Sequence, residues 1–187
     1  GNGDLILSGH STFTGPTTVN AGRLQVNGVY SSSISVRRQA TLSTNNAVIK
    51  NDITNNGTLE NSGSTQISGN YQALENSRVV SDLNSNIHVK GKVNLNNSRL
   101  EIKPEENGER KYVTANGTTQ NVITSDNKID GNFENVNTDD MLNAKINQND
   151  NAVSAEVSRK NVLDYVEKIS ESDEMQKNTA QNLETAF

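Results

Sequence analysis

Residues 87–102 read Ile-His-Val-Lys-Gly-Lys-Val-Asn-Leu-Asn-Asn-Ser-Arg-Leu-Glu-Ile, which is three short alternations of apolar and polar residues. The apolar positions pair at a spacing of two: Ile87 with Val89, Val93 with Leu95, and Leu100 with Ile102. This spacing is typical of strands that bury one face, because successive side chains of a strand point to opposite sides. The stretch therefore predicts three short strands, with His88 and Glu101 facing solvent.

The same alternation recurs on both sides of this stretch. The further sets are Leu5 with Leu7, Leu24 with Val26, Ile34 with Val36, Ala40 with Leu42, and Val153 with Ala155 and Val157. Each strand offers only two or three inward side chains, which is too few for a sandwich core of ordinary thickness. Stacked rungs can instead share one narrow, continuous core. The pattern predicts an all-β fold of the solenoid type.

The composition agrees with a thin core. Leu, Ile, Val and Phe together make up 42 of 187 residues, or 22%, just above the roughly 20% below which a chain is usually disordered. The net charge is only -5, from 17 basic and 22 acidic residues, whereas disordered chains normally combine low hydrophobicity with strong self-repulsion. A conventional globular domain of this length would bury a thicker core. The balance favours an elongated, repetitive fold.

Several other classes are disfavoured by the sequence. No run reaches the 18 or so apolar residues of a membrane helix, and the first residues show no basic stretch followed by an apolar run, so no signal peptide is visible in them. The acidic balance makes nucleic acid an unexpected partner. Cys is absent, so neither a disulfide framework nor a thiolate zinc site is expected.

Turn residues separate the strands. Asn occurs about thirty times and is favoured at tight turns. Four Asn-Gly dipeptides are predicted to be turns with positive φ: Asn27-Gly28, Asn56-Gly57, Asn107-Gly108 and Asn116-Gly117. Pro104 should end the preceding strand, and residues 104–108 are expected to form a charged, exposed loop.

The pattern changes at residue 158, where the spacing becomes helical. The predicted apolar helix face consists of Val162, Val166, Ile169, Met175, Leu183 and Phe187. The tail could pack on the end of the solenoid or fray, but docking onto a structure outside this sequence is the favoured interpretation.

Residues 1–28 read Gly-Asn-Gly-Asp-Leu-Ile-Leu-Ser-Gly-His-Ser-Thr-Phe-Thr-Gly-Pro-Thr-Thr-Val-Asn-Ala-Gly-Arg-Leu-Gln-Val-Asn-Gly. This stretch resembles the passenger-associated strand repeat of bacterial autotransporters, which runs Gly-x-Gly-x-Leu-x-Leu-x-Gly, then Thr-Tyr/Phe-Thr-Gly, then Thr-x-Val-x-x-Gly-x-Leu-x-Val-x-Gly. Residues 56–59, 67–71, 89–95, 129–136 and 152–159 follow the order of the same family's C-terminal autochaperone segment. The family's usual Gly-Thr-x-x-Pro-Gly turn is replaced here by residues 59–63, which leaves the rung assignment open there.

The resemblance implies a right-handed parallel β-helix stem with a C-terminal α-helical linker. It divides the chain into 1–70 (β-helix rungs), 71–157 (an autochaperone-like cap) and 158–187 (a linker that would thread the family's outer-membrane β-barrel). The last nine residues are most similar to autotransporters with an upstream subtilisin-like serine protease. Implied partners are the chain's own barrel translocator, an upstream passenger and, through the barrel, the outer membrane. The expected location is the bacterial cell surface or the medium.

The resemblance also implies a folding role. In type V secretion the C-terminal block would emerge and fold first, and its open strand edge would then template the rungs upstream. The expected folding core consists of Ile87, Val89, Val93, Leu95, Leu100, Ile102, Phe133 and Val136. Loss of Phe133, if it is buried, should cost about 3–5 kcal/mol and lower surface display.

Catalysis is not expected in this chain. The two histidines, His10 and His88, lack a recognisable nucleophile motif. The acidic pair at 105–106 is interpreted as surface charge, and the adjacent residues 139 and 140 would point to opposite faces of a strand. Residues 82–86 imitate the start of a calcium loop but lack its Gly and final Glu. No cofactor or metal is expected. The alternatives that stay open are an adhesin-type surface for host glycan or protein, and the stem of a surface serine protease.

Overall fold

The computed structural model describes residues 3–106 and 108–160. These residues form short strands joined by tight turns, and no helix occurs among them. In chain order the strands are β1 Asp4–Leu7, β2 His10–Ser11, β3 Thr17–Val19, β4 Arg23–Val26, β5 Val29–Tyr30, β6 Ile34–Val36, β7 Thr41–Asn45, β8 Val48–Ile49, β9 Ile53–Asn55, β10 Thr58–Ser62, β11 Ser64–Ile67, β12 Tyr71–Ala73, β13 Arg78–Asp82, β14 Asn86–Val89, β15 Val93–Asn94, β16 Arg99–Lys103, β17 Glu105–Glu106, β18 Glu109–Arg110, β19 Thr118–Ser125, β20 Ile129–Asp130, β21 Asn135–Asn137, β22 Leu142–Gln148 and β23 Ala152–Arg159.

The strands stack into three long sheets that run the length of the molecule. Sheet A has the order β1-β4-β7-β10-β13-β16-β21, sheet B has β2-β5-β8-β11-β14-β19-β23-β22, and sheet C has β20-β15-β12-β9-β6-β3. The chain visits the three sheets in turn and makes about five turns between β3 and β20. Each strand pairs in parallel with its equivalents in the neighbouring turns, apart from the C-terminal strands described below. The predicted parallel β-solenoid is confirmed.

Equivalent residues lie directly above one another in the core. One inward column of sheet A consists of Leu5, Leu24, Leu42, Leu59, Val79, Leu100 and Val136. The spacings along it are 19, 18, 17, 20, 21 and 36 residues, so the repeat is near 20 until the last step. Because Leu and Val side chains of successive turns stack on one another, they fill the narrow core without large aromatic residues, in agreement with the low apolar content of the sequence.

The long last step results from an insertion after β16. Strands β17 and β18 pair antiparallel as a small hairpin, with Glu105 opposite Arg110. Residues 104–108 were expected to be an exposed loop, and that expectation is wrong in part, because Glu105 and Glu106 are half-buried strand residues. Pro104 does end β16, as predicted.

The C-terminal end of the solenoid is antiparallel. Strand β23 pairs antiparallel with β19, and β22 pairs antiparallel with β23. Val153, Ala155 and Val157 face the core, as the alternation predicts. They belong, however, to a hairpin that closes the stack rather than to another parallel rung.

The glycines of two Asn-Gly pairs serve a different purpose from the one predicted. Gly28 and Gly57 do not have positive φ; instead, a Cβ at Gly28 would collide with the backbone of Gly9, and one at Gly57 with the carbonyl of Ala40. Glycine is needed at these two positions because the backbone of the neighbouring turn leaves no room for a side chain. Gly117 does adopt a positive φ of 79°, as expected. Four Asn residues also take positive φ at turns: Asn46, Asn84, Asn96 and Asn97.

Leu5 is a further exception, because it was expected to be buried and is 58% exposed. It lies on β1, which pairs only with β4 at the end of sheet A. Within the described part of the chain nothing covers that end. The predicted helix face between Val162 and Phe187 lies outside the described residues.

Candidate functional site

The central part of the expected folding core is buried as a unit. Ile87 and Val89 lie on β14, Val93 and Leu95 on or just after β15, and Leu100 and Ile102 on β16. All six are at most 1% exposed and belong to the same apolar cluster. The three alternations of residues 87–102 thus supply one strand to each sheet, and together they line one cross-section of the solenoid.

Phe133 and Val136 are placed differently. Both are half-buried and pack against the side of the core cluster. Val136 continues the leucine column of sheet A, whereas Phe133 precedes β21. Because Phe133 keeps part of its surface in solvent, its removal should cost less than the roughly 3–5 kcal/mol of a fully buried Phe.

The antiparallel end is a well-packed cap, defined here as β19, β22 and β23 with residues 111–117. Its core contribution consists of Val113, Val122, Ile123, Leu142, Val153, Ala155 and Val157, all of them buried. Strand β19 is eight residues long, twice or more the length of most strands in the parallel turns. It pairs with parallel β14 on one side and antiparallel β23 on the other. The cap therefore covers the open end of sheet B with paired strands.

Polar contacts join the inserted hairpin to the segment before β22, and residues 111–117 to β23. The Arg110 guanidinium donates to Asp139 Oδ2 at 3.0 Å, and the Met141 N–H donates to Asp139 Oδ1 at 2.9 Å. The Met141 hydrogen bond, followed by that of Arg110, lowers the pKa of the Asp139 carboxyl. On the other side, Arg159 lies 5.1 Å from the centre of the Tyr112 ring, a cation–π contact.

The N-terminal end has the opposite character. Leu5, Ile6 and Phe13 are each more than half exposed. Beside them a cavity of about 400 Å³ is lined by Leu5, Leu7, Val19, Leu24 and Tyr30, among others. Strands β1, β2 and β3 each end their sheet and pair on one side only. This end presents both apolar side chains and unpaired strand edges, the two features that another rung would need.

The two histidines lie on different strands, His10 on β2 and His88 on β14. His10 is exposed on the short strand β2. His88 faces outward, as predicted, and its ring lies between the Thr124 hydroxyl (Nδ1 to Oγ1, 2.7 Å) and the Asp126 carboxylate (Nε2 to Oδ1, 3.0 Å). This Thr-His-Asp contact was not visible in the sequence, since its members are 36 and 38 residues apart. The Asp126 side chain is 58% exposed, and the row joins β14 to the cap rather than lining a water-free pocket.

Neither a metal cluster nor a membrane-spanning helix occurs in the described part of the chain. Residues 3–106 and 108–160 contain no group of three or more His, Cys, Asp or Glu side chains placed to hold a metal ion. In the same residues no helix has the length and apolar character needed to cross a bilayer.

A polar groove of about 340 Å³ lies on the outer face of sheet A. Its floor consists of side chains from successive turns, and Glu105 and Gly108 of the inserted hairpin form part of its wall. Its charged members are Arg23, Glu60, Asp82, Lys103 and Glu105. No sequence pattern indicated this groove, because these residues meet only when the turns stack in register.

The electrostatics of the groove centre on Asp82. Burial raises the pKa of the Asp82 carboxyl, and the Glu105 and Glu60 carboxylates add to the rise. The nearby Ser62 hydroxyl and the Lys103 ammonium oppose it. At the other end of the groove, Arg23 Nη1 lies 2.6 Å from Glu60 Oε2, and Arg23 Nη2 donates to Ser43 Oγ at 3.0 Å.

Comparison with known proteins bears on the N-terminal end. Residues 1–26 match the family model described as passenger-associated-transport-repeat. The comparison with curated proteins found no match. The matched residues include β1, β2, β3 and β4, which are the open end of the solenoid. The repeat and the β-solenoid together fit an autotransporter passenger, and they fit a structural segment of it rather than a catalytic domain. Such a repeat implies a secreted or cell-surface protein.

Proposed function

We propose that this chain is the stem and folding module of an autotransporter passenger, in which the C-terminal block of residues 71–157 folds first and the solenoid then grows toward the N-terminus. The proposal is supported by the repeat matched at residues 1–26 and by the parallel solenoid. In it, the chain's partners are an upstream passenger and a C-terminal β-barrel in the outer membrane.

The observation that carries the proposal is the difference between the two ends. At the C-terminal end, β22 and β23 cover sheet B with antiparallel pairing and a buried apolar cluster. At the N-terminal end, Leu5 and Ile6 remain exposed on a strand with one partner. Because the exposed apolar side chains lie at the N-terminal end, whereas antiparallel strands cover sheet B at the C-terminal end, further rungs would be added at the N-terminal end.

Growth from the cap follows from the energetics of repeats. Repeat stability is close to a sum of rung terms and interface terms, so one stable block can order weaker neighbours. Each folded rung presents backbone N–H and C=O groups at three sheet edges, which pair with the incoming strands. A rung that folds outside the membrane could no longer slide back through a narrow pore, and folding would thereby favour export.

A matched pair of core leucines tests the order of folding. Leu100 and Leu42 lie in the same inward column of sheet A, and each has no exposed surface. Leu100 lies within residues 71–157, the block proposed to fold first, whereas Leu42 lies nearer the N-terminal end. Stopped-flow refolding of the 187-residue chain should show that Leu100→Ala slows folding, with a φ-value above about 0.5, whereas Leu42→Ala mainly speeds unfolding, with a φ-value near 0–0.3.

The reverse result, with a high φ-value at Leu42 and a low one at Leu100, would show that folding starts at the other end. In the full-length protein, Leu100→Ala should lower the amount of passenger displayed at the surface more than Leu42→Ala does. If the two variants were displayed in equal amounts, the order of folding would not affect export, and the export part of the proposal would be wrong.

A further inference from the structure

The polar groove on sheet A has more acidic than basic side chains. Three carboxylates, from Glu60, Asp82 and Glu105, line it together with two cations, from Arg23 and Lys103. Arg23 is engaged by Glu60 at 2.6 Å. The remaining pair of carboxylates, Asp82 and Glu105, faces the single ammonium of Lys103.

The two carboxylates are held near each other by the fold. Asp82 ends β13, and Glu105 begins the hairpin directly after β16, the strand that pairs with β13. The Leu83 N–H donates to the Glu105 carbonyl at 2.9 Å, which anchors the hairpin beside Asp82. Burial is the main cause of the raised pKa of Asp82, and the nearby Glu105 carboxylate adds to the rise because the two negative charges repel each other. A positive group between the two would remove that repulsion.

The rest of the lining indicates what kind of molecule carries the positive group. Gln25 and Asn45 supply amides, and Ser43 supplies a hydroxyl, along a groove that crosses the strands of several turns. Such side chains can donate to and accept from peptide C=O and N–H groups. No aromatic side chain is among the described residues of the lining, so the groove lacks a surface on which a sugar ring could stack.

We propose that this groove binds an extended peptide through one Lys or Arg side chain, with Asp82 and Glu105 as the anionic partners and the floor amides on its backbone. Charge-assisted hydrogen bonds from a guanidinium to two carboxylates are among the stronger ones in proteins. The site lies on the outer face of the sheet, so binding there is separate from the folding role. It would give the stem a contact surface for a basic protein segment.

The test is an NMR titration of the ¹⁵N-labelled 187-residue chain with the peptide acetyl-Gly-Gly-Arg-Gly-Gly-amide. The matched probe is the same peptide with citrulline, a neutral isostere, in place of Arg. The Arg peptide should give saturable shifts at the amides of residues 82, 103 and 105 that weaken with added salt. The citrulline peptide should bind roughly tenfold or more weakly.

Variants of the groove sharpen the result. The double variant Asp82→Asn with Glu105→Gln should lose roughly tenfold or more in affinity for the Arg peptide. Glu101→Gln is the matched control, because Glu101 lies on the same outer face but pairs with Arg78 at 3.4 Å, outside the groove. Lys103→Gln removes the competing cation and should strengthen binding roughly two- to fivefold. A gain of affinity also shows that the variant is folded.

Three results would overturn the proposal. One is equal binding of the Arg and citrulline peptides, and another is an unchanged affinity in the folded double variant. The third is that glucosamine or calcium chloride produces the same shifts at lower concentration than the Arg peptide does, which would assign the groove to a different class of ligand. None of these results bears on the order of folding of Leu100 and Leu42.

Discussion

The two ends of this solenoid have leucine at equivalent positions, but the leucine is exposed near one end and buried near the other. Leu5 and Leu100 occupy equivalent positions in one column of sheet A, yet Leu5 is 58% exposed and Leu100 is fully buried. What differs is the neighbour: β16 lies between β13 and β21, whereas β1 pairs with β4 alone. In a stacked fold, burial is therefore a property of the stack and not of the strand.

The two ends also differ in the pairing of their outermost strands. The cap turns the chain back on itself, and β22 and β23 pair antiparallel across sheet B. The N-terminal end has one-sided parallel strands in all three sheets, whereas the C-terminal end has them in sheets A and C only, at β21 and β20. The proposed direction of growth depends on this difference, and the following changes test the comparison from the largest expected effect to the smallest.

The largest contrast is expected between Leu100→Ala and Leu5→Ala. Truncation of Leu100 leaves a cavity in a packed core and should lower the free energy of unfolding by about 2–5 kcal/mol. Truncation of the exposed Leu5 should change it by no more than about 0.5 kcal/mol. Urea denaturation followed by far-ultraviolet circular dichroism measures both. A large, concentration-dependent loss in Leu5→Ala would instead show that this end is covered in solution by a second copy.

A second contrast compares two glycines with positive φ. Gly9 near the open end has φ of 86°, and a Cβ added there would have no atom within 4 Å, whereas a Cβ at Gly117 in the cap would lie 2.6 Å from the Val157 carbonyl oxygen. Gly9→Ala should cost only the left-handed strain of about 1–2 kcal/mol. Gly117→Ala adds a backbone collision worth roughly 1–3 kcal/mol more. Thermal unfolding of the two variants gives the difference, and equal losses would mean that the cap yields as readily as the open end.

The smallest effects concern two aspartates with opposite pKa shifts. Asp139 has a lowered pKa in the folded state, so its contribution to stability is present above its ordinary pKa of 3.8 and is lost as the pH falls through the lowered value. Asp82 has a raised pKa, so its contribution is fully present below pH 3.8 and is lost as the pH rises through the folded value. Near pH 7, Asp139→Asn should therefore destabilise the protein slightly, and Asp82→Asn should stabilise it slightly.

Melting temperatures of these two variants, measured from pH 2 to pH 7, provide the check. Both differences from the parent chain should shrink toward the acid end, where the carboxyls are protonated. If Asp82→Asn were less stable than the parent chain at pH 7, the Asp82 carboxylate would have a favourable partner in the groove. The inferred repulsion between Asp82 and Glu105 would then be wrong.

The regular part of the fold was predictable because it depends on local pattern. The period of two in residues 87–102 placed Ile87, Leu95 and Ile102 in the core, and all three are buried. The antiparallel pairing of β17 with β18 and of β23 with β19 was not predictable, since the alternation of apolar and polar residues is the same for parallel and antiparallel strands. The contact between Thr124, His88 and Asp126 and the polar groove could not be predicted from the sequence for a related reason. Their members are distant in sequence, and only the register of the turns brings them together.

The amino-acid sequence alone determined that the strands are short and one-sided, that turns come every few residues, and that the core is thin. These properties arise from side-chain periodicity and turn chemistry, which act over a few residues. Only the tertiary structure decided which end has the antiparallel cap, which leucine of a column is covered, and which charges share a groove. Those outcomes depend on how many neighbours a rung has and on the number of residues between equivalent positions, and both are set when the turns stack.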